Sequence, residues 1–123
     1  MSTLAVDNFT PSAGGTSFGI EGIAKAWANL NGTGTISLRD SYNVSSVTDG
    51  GTGRYDFSFT NSMANANYAI LLGGGVVGAD PLISNGVGTA PTSSGFRLAA
   101  NDDNGGAAID LDYAHFANKG TLA

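Results

Sequence analysis

Tyr55-Asp56-Phe57-Ser58-Phe59-Thr60 is the stretch that decides the fold. Aromatic and polar residues alternate along it, so three rings share one face of a β-strand and the polar groups take the other. Asp49-Gly50-Gly51-Thr52-Gly53 stands immediately before it and supplies residues that tolerate positive φ. Residues 45–48 provide a partner strand, and 43–60 therefore reads as a β-hairpin.

The same period recurs outward in both directions. Ile36, Leu38 and Tyr42 alternate with Ser37 and Arg39; Tyr68, Ile70 and Leu72 alternate with Ala69 and Leu71; Phe96 and Leu98 flank Arg97. Near the end, Ile109-Asp110-Leu111-Asp112-Tyr113 reads as a strand with two carboxylates on a wet face and three apolar groups on a dry one. Short strands with glycine-rich turns between them indicate an all-β chain, an antiparallel β-sandwich or barrel-like domain over residues 24–123. Trp27, Phe57 and Phe59 are expected in its core. The segment 20–31 fits two descriptions. Ile20, Ile23, Ala24, Trp27 and Leu30 follow helical spacing, with Glu21 and Lys25 as an i, i+4 pair and Asn31-Gly32 as a stop. A strand over 24–30 would instead set Trp27 on the face opposite Ala26, Ala28 and Leu30. Residues 1–23, rich in Gly, Ser, Thr and Pro, hold too little apolar surface for a core and are expected to form an extended N-terminal docking arm.

Composition narrows the function classes. Of 123 residues only 12% are charged, about half the usual ~25%, whereas the 19 glycines are about twice the usual share. The net charge of −5 offers no general attraction to phosphate backbones or anionic lipid, so nucleic acid and membrane surface are poor partners. No cysteine is present, which removes disulfides, thiolate metal sites and cysteine nucleophiles. No basic residue precedes Lys25, so no secretory signal is visible, and the apolar stretch 68–79, broken by four glycines, falls short of the ~20 residues that span a bilayer. A soluble chain is expected.

One block carries a family likeness. Lys25-Ala26-Trp27-Ala28-Asn29-Leu30-Asn31-Gly32-Thr33-Gly34-Thr35 resembles a module of bacteriophage fibre proteins with the pattern K-A-W-[VA]-N-[FL]-N-G-T-G-T. The likeness continues through Arg39-Asp40-Ser41-Tyr42-Asn43-Val44-Ser45-Ser46-Val47-Thr48-Asp49, Gly51-Thr52-Gly53, Tyr55, Phe59-Thr60 and Met63-Ala64-Asn65-Ala66-Asn67-Tyr68. It departs at Gly50, Arg54 and Ser62, where that family carries Asn, Asp and Ala, and fades beyond Ala69. The resemblance implies a small β-rich domain of tail or head fibres on the exterior of the virion, assembled as a homotrimer, and it favours the strand reading of 25–30. It also implies other virion proteins as docking partners for the arm and a host cell-surface glycan as a receptor. Only 24 residues precede the matched block, so the expected fibre is short, its arm reaching at most ~80 Å. A capsid decoration protein that crowns the head without meeting a receptor requires the same parts.

The remaining motifs have plainer readings. Gly73-Gly74-Gly75-Val76-Val77-Gly78 has the G-x-G-x-x-G spacing, but Pro81, Gly86, Gly88 and Pro91 forbid the helix that a dinucleotide site needs, so a glycine-rich loop is expected and no cofactor. His115 is the only histidine and Glu21 the only glutamate, and no G-x-S-x-G elbow or paired-acid signature accompanies them, so no enzyme is expected. Asp102, Asp103, Asn104, Asp110 and Asp112 could offer oxygen ligands to Ca²⁺, but their spacing is that of turns and a wet strand face, and no metal is expected. Trp27, Tyr55, Phe57 and Phe59 could stack on sugars or bases, although alternation favours core packing. Recognition is expected in loops outside the matched block. Residues 73–95 form a long loop suited to packing between chains, and Asn101, Asp102, Asp103 and Asn104 are the expected receptor contact, since their amides and carboxylates can hydrogen-bond sugar hydroxyls.

Overall fold

The computed structural model describes residues 2–10, 13–16, 18–19 and 22–123. Among them the regular structure is entirely β: β1 (Asn8–Phe9), β2 (Phe18–Gly19), β3 (Ala24–Asn31), β4 (Ser37–Tyr42), β5 (Val44–Asp49), β6 (Arg54–Phe59), β7 (Ala69–Gly75), β8 (Pro81–Asn85), β9 (Gly95–Asp102) and β10 (Tyr113–Lys119). Two four-stranded sheets, in the orders β4-β3-β10-β7 and β5-β6-β9-β8, pack face to face as a sandwich, and every neighbouring pair of strands is antiparallel. No helix among the described residues is long and apolar enough to cross a membrane.

Complementary side-chain sizes hold the sheets together. The inward residues of β3 are small, Ala26 and Ala28 with Leu30 beyond them, while β6 and β9 send in Tyr55, Phe57, Phe59, Phe96 and Leu98. Phe116 of β10 meets Phe57 and Phe96 edge-on, each at 4.8 Å between ring centres, in the arrangement that aromatic quadrupoles prefer. Phe59 meets Tyr68 in the same manner at 5.7 Å. The expected burial of Phe57 and Phe59 holds; that of Trp27 does not. Residues 24–31 form a strand whose period of two turns Ala26, Ala28 and Leu30 inward, so Trp27 takes the outer face and is 37% exposed. The helical alternative also relied on Ile20 and Glu21, which lie outside the described residues.

The hairpin forms where the alternation places it, β5 against β6, with Val47 opposite Phe57. Gly51 and Gly53 hold positive φ in its turn, and a Cβ on Gly53 would strike the carbonyls of Ala100 and Ile109. Asn43 alone separates β4 from β5 and swings the chain from one sheet to the other. It adopts φ 56°, its Nδ2 donates to the carbonyls of Lys25 and Asn61 at 3.0 Å, and its Oδ1 accepts from Asn61 N at 2.7 Å.

Three expectations need correction. Residues 109–112 are not a strand: the last strand begins at Tyr113, and the preceding segment dives so that Leu111 is fully buried. Asp110 and Asp112 consequently do not line a wet strand face. Asp110 Oδ1 accepts from Gly53 N at 2.7 Å and Asp112 Oδ2 from Val77 N at 2.8 Å, so both carboxylates pin neighbouring loops. Residues 73–95 are not one loop, because Gly73, Gly74 and Gly75 pair with β10 inside β7 and β8 follows after a tight turn. The N-terminal segment is not extended throughout, since β1 and β2 pair antiparallel and double it back.

Burial also couples the fold to pH. Tyr68 donates to the carbonyls of Thr92 and Gly95 at 2.9 and 3.1 Å, and its burial raises its hydroxyl from the ordinary 10.0 to about 12. A group that ionises later in the folded state than in the unfolded one contributes stability in full below pH 10.0, and that contribution is lost as pH rises toward about 12. Melting temperatures measured at about pH 8 and about pH 11 should show the drop, and a Tyr68→Phe variant should show a smaller one.

Candidate functional site

His115 lies near the middle of β10 on the outer face of its sheet, exposed, with Asn29 of β3 and Gly73 of β7 as its cross-strand neighbours. The imidazole lies across Gly73, where any Cβ would collide with it. Asp40 of β4 pairs with Asn29 on the far side, so a whole strand separates it from His115 and the two form no carboxylate–imidazole dyad. Among the described residues no three His, Asp or Glu side chains converge as a metal site. Gly73-Gly74-Gly75-Val76-Val77-Gly78 runs from a strand into a turn and on to β8, so the helix N-terminus of a dinucleotide site is not part of this arrangement.

The four residues of the expected receptor contact divide into two pairs. Asn101 and Asp102 close β9, and their side chains are occupied in holding the turn. Asn101 Nδ2 donates to Gly106 O at 2.7 Å while its Oδ1 accepts from Arg54 at 3.2 Å, and Asp102 Oδ1 accepts from Asn104 N at 3.0 Å. Asp103 and Asn104 project from the tip, exposed. Beside them, Arg54, Leu82, Ser84, Val87 and Asn101 line a shallow depression of about 320 Å³. Further along the same sheet face Arg97 and Asp56 form a two-point ion pair, both contacts at 2.7 Å, and hydrogen bonding to Asp56 raises the Arg97 pKa.

Two further surfaces escape a reading of single segments, because cross-strand register builds them. On the outer face of the first sheet, Tyr42, Trp27, Ala117 and Leu71 stand side by side across β4, β3, β10 and β7. The adjacent row holds Asp40, Asn29, His115 and Gly73 in the same strand order. Arg39, the extra residue of a bulge in β4, braces the end of this face. It lies 4.5 Å over the Tyr113 ring and donates to Asn29 Oδ1 at 3.2 Å, Leu30 O at 2.8 Å and Asp112 O at 2.7 Å. Of this set the sequence singles out Trp27, expected in the core, and His115; the parity of Trp27 against Ala26, Ala28 and Leu30 was the signal that it faces out.

The second surface is the side of the sandwich where β7 and β8 form the edges of their sheets and meet at a bridge between Val76 and Ala79. Leu71, Val77 and Leu82 are 50%, 86% and 62% exposed there. From residue 69 to residue 95 the only charged side chain is Asp80. Natural sheets ordinarily guard such edges with charge, proline or cover, and β8 opens with Pro81 as its one such device. No protein-family model, curated protein or solved structure matches this chain.

Proposed function

We propose that this chain is a bacteriophage virion structural protein, a non-catalytic β-sandwich module that assembles as a homotrimer into a short fibre or knob on the particle exterior and contacts the host surface. The observation that carries the proposal is the unguarded β7–β8 side. Its edges leave backbone N–H and C=O groups without a neighbouring strand, and Leu71, Val77 and Leu82 lie beside them in a stretch almost free of charge. Chains of net charge −5 repel one another elsewhere, so a neutral edge is where copies meet at least electrostatic cost. The number three, the virion and the host surface come from the likeness of residues 25–68 to phage fibre modules. The exposed N-terminal residues are the part that would dock on another virion protein.

Native mass spectrometry at micromolar concentration should give a trimer. Leu82→Glu, which sets a carboxylate on the proposed contact, should shift the population to monomer without lowering secondary-structure content. A stable wild-type monomer would sink the assembly reading. Gold-labelled antibody on intact particles tests the location separately, and absence of label from the particle surface would sink the virion reading.

A further inference from the structure

We infer that the outer face of the β4-β3-β10-β7 sheet, centred on Trp27, is a binding site for a neutral oligosaccharide. A sugar ring presents an apolar C–H face and a rim of hydroxyls that both donate and accept, and this sheet face offers the matching pair of strips side by side. Trp27 and Tyr42 stand directly opposite each other on β3 and β4, 37% and 57% exposed. They supply flat apolar surface at little conformational cost. The next row supplies the polar partners. Asp40 Oδ1 accepts from the Ser41 amide at 2.9 Å, which leaves Oδ2 to accept, and Asn29 Oδ1 accepts from Arg39, which leaves Nδ2 to donate. The exposed His115 imidazole stands beside Asn29. Gly73, next in that row, adds no side chain, and the imidazole lies across it and closes the row at β7.

The geometry favours a sugar over a second protein chain. The row from Tyr42 to Leu71 crosses four strands, about 14 Å at ~4.8 Å per strand, and is one residue wide. That is far below the ~800 Å² per partner of a stable protein interface. Lys119 on one side and Arg39 and Asp40 on the other frame it with charge. The Asp40 carboxylate and the net charge of −5 disfavour an acidic sugar or a nucleic acid on the same rings. The site rests on the proposed host contact only for the origin of the glycan, since binding itself requires no particle.

Trp27 is the sole tryptophan, so tryptophan emission of the full-length protein, excited at the red edge where its four tyrosines hardly absorb, reports on this face alone. The probes are a printed array of bacterial surface polysaccharides, followed by titration with neutral oligosaccharides released from the polysaccharides that bind. A saturable change in Trp27 fluorescence is expected, weakened about tenfold or more in Tyr42→Ala and, with shape conserved, in Asp40→Asn, each shown by melting to be folded. A variant with alanine at Asn101, Asp102, Asp103 and Asn104 should titrate like the wild type. The inference is overturned by an array on which no neutral glycan binds, by binding that neither face variant weakens, or by binding lost only in the four-alanine variant. A fluorescence change that follows protein concentration with no sugar present overturns it as well, because the face is then a contact between copies. Each of these results leaves the trimer and particle-labelling tests standing on their own.

Discussion

Truncating Phe57 to alanine is expected to lower the stability of the fold by about 3–5 kcal/mol, the range for deleting a buried phenylalanine. Phe57 is 2% exposed and stands where the two sheets meet, 4.8 Å from Phe116 of the opposite sheet and 5.5 Å from Phe96 of its own. Residues on the opposing sheet cannot collapse into the space. Ala28 is already small, and the backbones of β3 and β10 are fixed by pairing on both sides. For a domain of this size each 1 kcal/mol moves the melting temperature by roughly 4 °C, so a fall of about 12 °C or more is the expected reading. A shift of a degree or two would mean that the ring does not occupy the core and that the β6 face is assigned backwards. Trp27→Ala provides the contrast. Its ring lies on the outer face, so its removal should cost much less than that of Phe57.

The difference between those two aromatics marks how far the sequence could be read. Around Phe57 the alternation was unambiguous, because large rings and polar residues share no property that lets them exchange faces, and glycines bounded the segment. Around Trp27 the alternation ran between a large aromatic and two alanines, and ring size pointed inward while parity pointed outward. Parity won, because inward alanines leave room for the four phenylalanines of the core and a tryptophan there would not fit among them. The strand expected over 109–113 failed for a related reason. Asp110 and Asp112 do alternate with apolar residues, but their carboxylates satisfy backbone amides of Gly53 and Val77, distant in sequence, which no local pattern reveals. The glycines at 73–75 looked like a loop because their pairing partner is β10, some forty residues on. The outer-face rows belong to the same class, since Tyr42 and Trp27 become neighbours only when the register of β3 on β4 is known.

Long-range closure of this kind is most concentrated at Tyr55, and Tyr55→Phe is expected to cost about 2–6 kcal/mol although it removes a single oxygen. The hydroxyl is wholly buried, donates to Gly32 O at 3.0 Å and accepts from Leu111 N at 2.8 Å. Gly32 N in turn donates to Leu111 O at 2.9 Å, so one phenol closes a ring of hydrogen bonds joining the β3–β4 turn, β6 and the segment that leads into β10. Residue 32 must be glycine for this contact, since a Cβ there would overlap the phenol. Phenylalanine fills nearly the same space and leaves a buried carbonyl and a buried N–H each short of a partner, at about 1–3 kcal/mol apiece. Equilibrium denaturation in urea measures the loss, and a change under about 0.5 kcal/mol would show that both groups find other partners. The pH dependence supplies an independent check. Burial, partly offset by the Leu111 hydrogen bond, raises the Tyr55 pKa, so its contribution is complete below pH 10.0 and disappears as pH climbs above it. The Tyr55→Phe protein, having already lost that contribution, should therefore lose less stability than wild type between about pH 9 and about pH 11.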